Sequence, residues 1–260
     1  MKILAKKLLN SFAAIFGVVV VRSGTLVEME HATRSQRILN LLTAFQGENS
    51  RQLLDAMGDS RSQLQQDLFV LAQLDFKKGG YFVEFGATDG IELSNTFLLE
   101  KKFGWTGILA EPAECWQEAL RKNRSAKIER KCVWSISNQI LVFNEVEYAE
   151  LSTVDLYSRS DIHKGSREKG RTYNVETISL IDLLEKHNAP ENIDYLSIDT
   201  EGSEFEILSE FDFSKYSFDV ITCEHNGTAN RVLIYDLLTK NGYSRKFEAL
   251  SEFDDWYVKN

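Results

Sequence analysis

The chain has little cysteine, no long apolar run and no surplus of positive charge, and each shortage closes a class of function. Its three cysteines, Cys115, Cys132 and Cys223, are far apart, odd in number and never in a CxxC arrangement. That excludes a disulfide framework and a thiolate metal site, and it fits a reducing cytoplasm. Thirty basic residues against thirty-nine acidic ones leave a net charge of −9, so no general attraction draws the chain to phosphate backbones and nucleic acid is not the expected partner. The uninterrupted apolar stretch 12–21 is about half of the ~20 residues that a spanning helix requires, and no small-x-small cleavage site follows it. Internal repeats and low-complexity tracts are missing too. What remains is 260 residues, 43% hydrophobic and 27% charged, enough for one large domain with a real core and a small appendage.

The first 21 residues read as an amphipathic helix. At 100° per residue Leu4, Leu8, Phe12, Ile15 and Phe16 share one face and Lys2, Lys6, Asn10 and Ala13 the other. Such a helix suits docking on its own domain or peripheral contact with an anionic membrane, on the inner surface for a cytoplasmic chain; a signal anchor is the third reading. Residues 30–78 continue in helical style, with Ile38, Leu41, Leu42 and Phe45 and then Leu64, Leu68 and Leu71 at helical spacing. A helical lead-in over 1–78 therefore precedes the main domain, 79–260.

From Tyr81 the pattern changes to short β-rich runs alternating with helices: YFVEFGA, SNTFLLEKKF, TGILAEP, AECWQEALRKN, KIERKCVW, and later IDYLSID, SEFEILSEF, FDVITCEH and RVLIYDLLTKNG. This alternation predicts an α/β fold with a mostly parallel, doubly wound sheet, and SRKFEAL with DDWYVKN predicts a terminal antiparallel hairpin. Residues 158–174 are polar and basic and read as a long mobile loop.

The first strand runs into the turn GATDG, with Glu84 before it and Asp89 within it. The dinucleotide fingerprint G-x-G-x-x-G is missing, and an acid in the turn would repel a pyrophosphate. A cationic nucleoside cofactor such as S-adenosylmethionine gains from the same carboxylates. Glu111 ends the next strand twenty-two residues after Asp89, close to the ~20-residue spacing at which an acid accepts hydrogen bonds from a ribose.

YFVEFGATDGIELSNTFLLEKKFGWTGILAEP, followed by KCVW, LSTVD and IDYLSIDTEGSEFEIL, resembles the FkbM-type methyltransferases, class I enzymes that use S-adenosylmethionine and often methylate sugar or polyketide hydroxyls. The resemblance covers 60–225 and implies a Rossmann-like class I methyltransferase fold. It places Glu84, Gly86 and Asp89 near the methionine end of the cofactor, Glu111 on the ribose, and Cys132 or Val133 near the adenine. Ser94, Asn95, Pro112 and Asp199 complete the expected cofactor set. The chain carries Thr88-Asp89 where many relatives have Asn-Asp or Asn-Ile.

A second cluster, SIDTEGSE, places Asp199 at the end of a strand, aimed into the cleft, with Glu201 and Glu204 at the start of the next helix, where the macrodipole also favours acids. TCEHN ends a further strand in Glu224, His225 and Asn226. His225 has the right ordinary pKa to act as the general base on an acceptor hydroxyl, so Asp199, His225 and Glu201 form the expected catalytic set. No metal is the favoured expectation; the alternative is a Mg²⁺ or Ca²⁺ held by Asp199, Glu201 and Glu224. His31, His163 and His187 show no ligand spacing, and His163 reads as a solvated loop residue. Ser152 and Thr153 suit either an acceptor wall or a turn, and Trp105, Trp116 and Trp134 read as core. The expected activity is O-methylation of a sugar, glycan or related small molecule, with 147–175 and the N-terminal helices as the variable acceptor elements. A silent Rossmann-like binding module and a nicotinamide-dependent sugar enzyme are the competing readings, the latter weakened by the lack of a Tyr-x-x-x-Lys pair.

Overall fold

Strand β1 (Tyr81–Phe85) buries Phe82, Val83 and Phe85 at 0–1% exposure, as an interior strand covered on both faces must. It pairs in parallel with β2 (Thr106–Ala110) on one side and β8 (Asn192–Ile198) on the other, Glu84 lying opposite Leu109 and Ser197. With β3 (Lys127–Glu129), β9 (Ser217–Glu224), β10 (Tyr243–Lys246) and β11 (Asp254–Lys259) they form a seven-stranded sheet in the order β3-β2-β1-β8-β9-β11-β10. Only β11 runs against its neighbours. This is the expected Rossmann-like, mostly parallel doubly wound fold, including the terminal antiparallel hairpin. The strand order reverses at β1, so the clefts beside its C-terminal end are open to a ligand.

The computed structural model describes residues 23–45 and 48–260; the amphipathic helix expected over 1–21 lies outside them. The lead-in is represented by α1 (Ser23–Ala44), α2 (Glu48–Ala56) and α3 (Gln66–Gln73). Among the described residues, those up to 40 form one unit and those from 41 onward a second. Within the second, Phe69 of α3 stacks on Trp256 of β11 with ring centroids 4.6 Å apart. The opposite face of the sheet is covered by α6 (Leu180–Lys186), α7 (Glu204–Ser209) and α8 (Asn230–Lys240), which bury Leu183, Leu184, Ile207, Leu208, Ile234 and Leu238 against Val83, Phe85, Leu196 and Ile221. Two seven-residue helices, α4 (Phe97–Phe103) and α5 (Gln117–Asn123), follow β1 and β2. No helix among the described residues is long and apolar enough to cross a membrane.

The run KIERKCVW, read as one strand, is two. β3 ends at Glu129, and β4 (Cys132–Trp134) belongs to a second sheet with β5 (Ile140–Glu145), β6 (Thr153–Val154) and β7 (Arg171–Ser179), in the order β4-β7-β5-β6. Glu129 marks the break: its carboxylate accepts from the backbone N–H groups of Arg130 and Lys131, which spends those donors on a turn. The segment 158–174 is likewise no open loop. Its last residues enter β7, and Arg167 at 2% exposure pins the rest.

Candidate active site

Parallel pairing sets the C-terminal ends of β2, β1, β8 and β9 side by side, and a cavity of about 320 Å³ opens across them. Glu111, Gly86, Asp199 and Glu224 follow one another along it, one from each strand end. At ~4.8 Å per strand this row spans about 14 Å, the reach of an elongated ligand.

At the β1 end the polypeptide is locked by buried charge. Glu84 accepts from the Asn95 N–H (2.7 Å), from Ser94 Oγ and from Thr96 Oγ1, and Arg124 stands 3.7 Å away with no exposed side-chain surface. Arg124 also donates to Gly90 O, Ser94 Oγ and Thr96 Oγ1 and to Glu100. Burial pushes the Glu84 carboxyl up, against the pull of Arg124. Gly86 (φ 72°) is required by geometry: a Cβ there would stand 2.1 Å from Asp199 O, so the backbones at the ends of β1 and β8 touch only because the position is glycine.

Glu111, 4% exposed, accepts from the N–H groups of Thr88 (2.9 Å) and Ala113 (2.8 Å). Burial outweighs these bonds and raises its pKa to about 7. Pro112, Cys132, Val133 and Phe143 add an apolar wall beside it. Burial, helped by the Glu111 charge, pushes the Cys132 thiol up to about 12, so it is a wall and not a nucleophile. Asn95 also faces the cavity: its Nδ2 donates to Ser197 Oγ, while its buried Oδ1 has no partner.

At the β8–β9 end Asp199, Glu201 and Glu224 each offer one oxygen within 4.8 Å of the others. Arg167 donates to Glu201 Oε2 at 2.8 Å and to both oxygens of Asp161 at 2.9 Å, and Asn226 Nδ2 adds a bond of 3.1 Å to Glu201 Oε2. Burial raises the Asp199 pKa to about 7, with a contribution from the Glu204 charge. Burial and the Asp199 charge raise Glu201 to about 9 against the opposing Arg167. Glu204 accepts from Thr200 and Gly202 at 3.0 Å and closes the turn. Thr88 (φ 46°), Glu201 (φ 59°) and Asn226 (φ 46°) all line the cavity in the left-handed region, and backbone strain of this kind gathers at functional sites.

Several expected site residues stand elsewhere. Asp89 is not in the cavity wall: its carboxylate accepts from the N–H groups of Ile91 and Glu92 and closes the turn after β1. Ser94 supports Glu84 without lining the cavity. His225 is also outside the lining: it stands in the turn just past β9, where its N–H donates to Phe253 O. Its Nδ1 accepts from the Gly227 N–H, and its Nε2 lies 3.9 Å from Asp255, which Arg231 and Arg245 already hold. Burial lowers its pKa. Conversely His163 and Ser152 line the cavity, whereas Thr153 donates to the carbonyls of Thr200 and Glu201. Trp105 and Trp134 are buried. Sequence reasoning missed Arg124, Arg167 and Phe253, and for the two arginines no local signal separates a buried pin from a solvated base.

Residues 84–256 match the family model of the methyltransferase FkbM domain. No curated protein matches the chain. Among solved structures, the methyltransferase FkbM from Methylobacillus flagellatus KT shares 10% identity, with a TM-score of 0.44, over 86% of this chain and 58% of that one. The precorrin-6y C5,15-methyltransferase from Geobacter metallireducens GS-15 shares 11% identity, with a TM-score of 0.42, over 75% of this chain and 87% of that one. The family match extends from the end of β1 into β11 and takes in every strand end that lines the cavity, and the chain belongs to the FkbM methyltransferase domain family.

Proposed function

We propose that the chain transfers a methyl group from S-adenosylmethionine to a hydroxyl of a sugar, glycan or related small acceptor. The observation that carries this reading is the row of strand-end carboxylates along one cavity, from Glu111 on β2 to Glu224 on β9. The residues present fit such a cofactor. Glu111 would take the ribose hydroxyls, and the apolar wall of Pro112, Cys132, Val133 and Phe143 the adenine. The unpartnered Asn95 Oδ1 would accept from the methionine ammonium, near the buried negative charge of Glu84 and Asp199. When bound, S-adenosylmethionine supplies an activated methyl group on a cationic sulfur.

The chain's own work is then to position the acceptor and manage its proton. With His225 turned away, the acceptor hydroxyl meets Asp199, Glu201 and Glu224. Ala149, Leu151 and Ile162, from the segment between β5 and β7, form the outer wall against which the acceptor body would lie, and closing out water there favours alignment. The three unpaired cysteines support a cytoplasmic location. A silent binding module has less need of a cavity whose polar atoms are left without partners. Calorimetry with S-adenosylmethionine and its demethylated product, then labelled methyl transfer to sugars and glycolipids, tests the assignment; binding of neither cofactor form overturns it.

A further inference from the structure

At the β8–β9 end the charges do not balance within the chain. Among the described residues, Arg167 is the guanidinium bonded to this group, and it is shared between Glu201 and Asp161. Set against Asp161, Asp199, Glu201 and Glu224, one cation for four acids leaves three negative charges when all are ionised, which burial penalises. Glu224 is 8% exposed, yet its Oε2, on a side chain that lines the cavity, has no hydrogen-bond partner. The Glu224 carboxyl stands against that of Asp199, and a buried carboxylate oxygen left without a donor is an unmet acceptor at the cavity wall.

We infer that Asp199, Glu201 and Glu224 form a binding site for a divalent cation of the magnesium, manganese or calcium kind. Oxygens bound ~2.0–2.6 Å from one ion are at most about 5 Å apart, and the three carboxylates offer theirs within 4.8 Å. An all-oxygen set selects hard cations and disfavours the softer thiolate-seeking metals. Arg167 and Asn226, by holding Glu201 Oε2, position this ligand for the ion. Three protein oxygens leave about half of an octahedral shell open. The next step rests on the methyltransferase reading: two adjacent hydroxyls of the acceptor would complete the shell, and the hydroxyl on the ion would release its proton to solvent water as its oxygen takes the methyl group and the cofactor leaves as the neutral thioether. The acceptor class narrows to molecules with a vicinal hydroxyl pair.

Titration of the full chain with Mn²⁺, followed by loss of the free-ion paramagnetic resonance signal, tests the site without cofactor or acceptor. The expected result is one Mn²⁺ per chain with a Kd of ~10⁻⁵–10⁻³ M, displaced by Mg²⁺ or Ca²⁺ and weakened at least tenfold in Glu224→Gln and in Asp199→Asn, with melting curves showing both variants folded. Should one variant fail to fold, the other decides. No binding at millimolar Mn²⁺, binding unchanged in the folded variants, or stabilisation by an alkylammonium ion but not by Mn²⁺ overturns the inference, the last in favour of an amine acceptor. Calorimetry with S-adenosylmethionine on the same samples separates the two readings: a chain that binds Mn²⁺ but fails to bind S-adenosylmethionine leaves the cation site standing and removes the methyltransferase role, and a chain that binds S-adenosylmethionine but not Mn²⁺ does the reverse.

Discussion

Arg167 Nη2 lies 2.8 Å from Glu201 Oε2, both side chains buried, so a residue of the segment before β7 is bonded to the turn that follows β8. The small sheet and the large one are joined at the edge of the cavity by this pair and by Thr153 on the Glu201 carbonyl. Replacing Arg167 with Met keeps the aliphatic stem but leaves Asp161 and Glu201 without their cation. The expected cost is about 3–5 kcal/mol, read in urea unfolding, together with faster proteolysis between residues 155 and 170. Arg167→Lys should recover only part of this, because an ammonium lacks the planar fork that serves two carboxylates at once.

Glu111→Ala should weaken S-adenosylmethionine binding by about 10- to 100-fold, the equivalent of about 1.5–3 kcal/mol for hydrogen bonds to a charged group. Calorimetry checks it, with circular dichroism to show that the Thr88 and Ala113 turns survive. Unchanged affinity would remove Glu111 from the cofactor site.

His225→Ala should leave turnover within about threefold of the native value, since the ring lies outside the cavity lining and its Nδ1 is occupied by the Gly227 N–H. A loss of about 10²–10⁴, the range for a general base, would return His225 to the chemistry.

Asp254 supplies a pH test. Its Oδ2 accepts from Gln66 and Trp256, its Oδ1 has no partner, and burial raises its pKa from 3.8 to about 7. Between those two values the folded chain holds a proton that the unfolded chain has released, so this group lowers stability as pH rises through the window and costs most above it. Asp254→Asn keeps an oxygen for Gln66 and Trp256 and removes the titration. The variant should match the native chain near pH 4 and exceed it by on the order of 2–4 kcal/mol at pH 8, measured as unfolding free energy at the two pH values.

The parts of this architecture that are legible in sequence are those fixed by local pattern. β1, β2, β8 and β9 read as strands because they are short, apolar and end in glycine or acid, and Gly86, Glu111, Asp199 and Glu224 follow from their ends. Arg167 was not legible because its burial depends on Glu201, thirty-four residues away; in its own neighbourhood it is one more base in a polar stretch. The second sheet was hidden for the same reason, since β5 pairs with β7 across a 25-residue excursion, 146–170. The misplacement of His225 is of another kind: it lies just past β9, in a turn held by bonds to Gly227, Thr228 and the distant Phe253 that its residue type does not announce.

The last strand in chain order, β11, is an interior one, seated between β9 and β10. Until it arrives, β9 presents a bare edge to the solvent, and Phe253, Asp254 and the carbonyl that receives the amides of His225 and Asn226 are missing from the cavity's surroundings. The sheet therefore cannot be completed progressively from one end to the other. Folding intermediates that hold β1, β8 and β9 carry an exposed edge able to pair with other chains, so a truncation ahead of residue 253 should yield aggregates and not a smaller working domain.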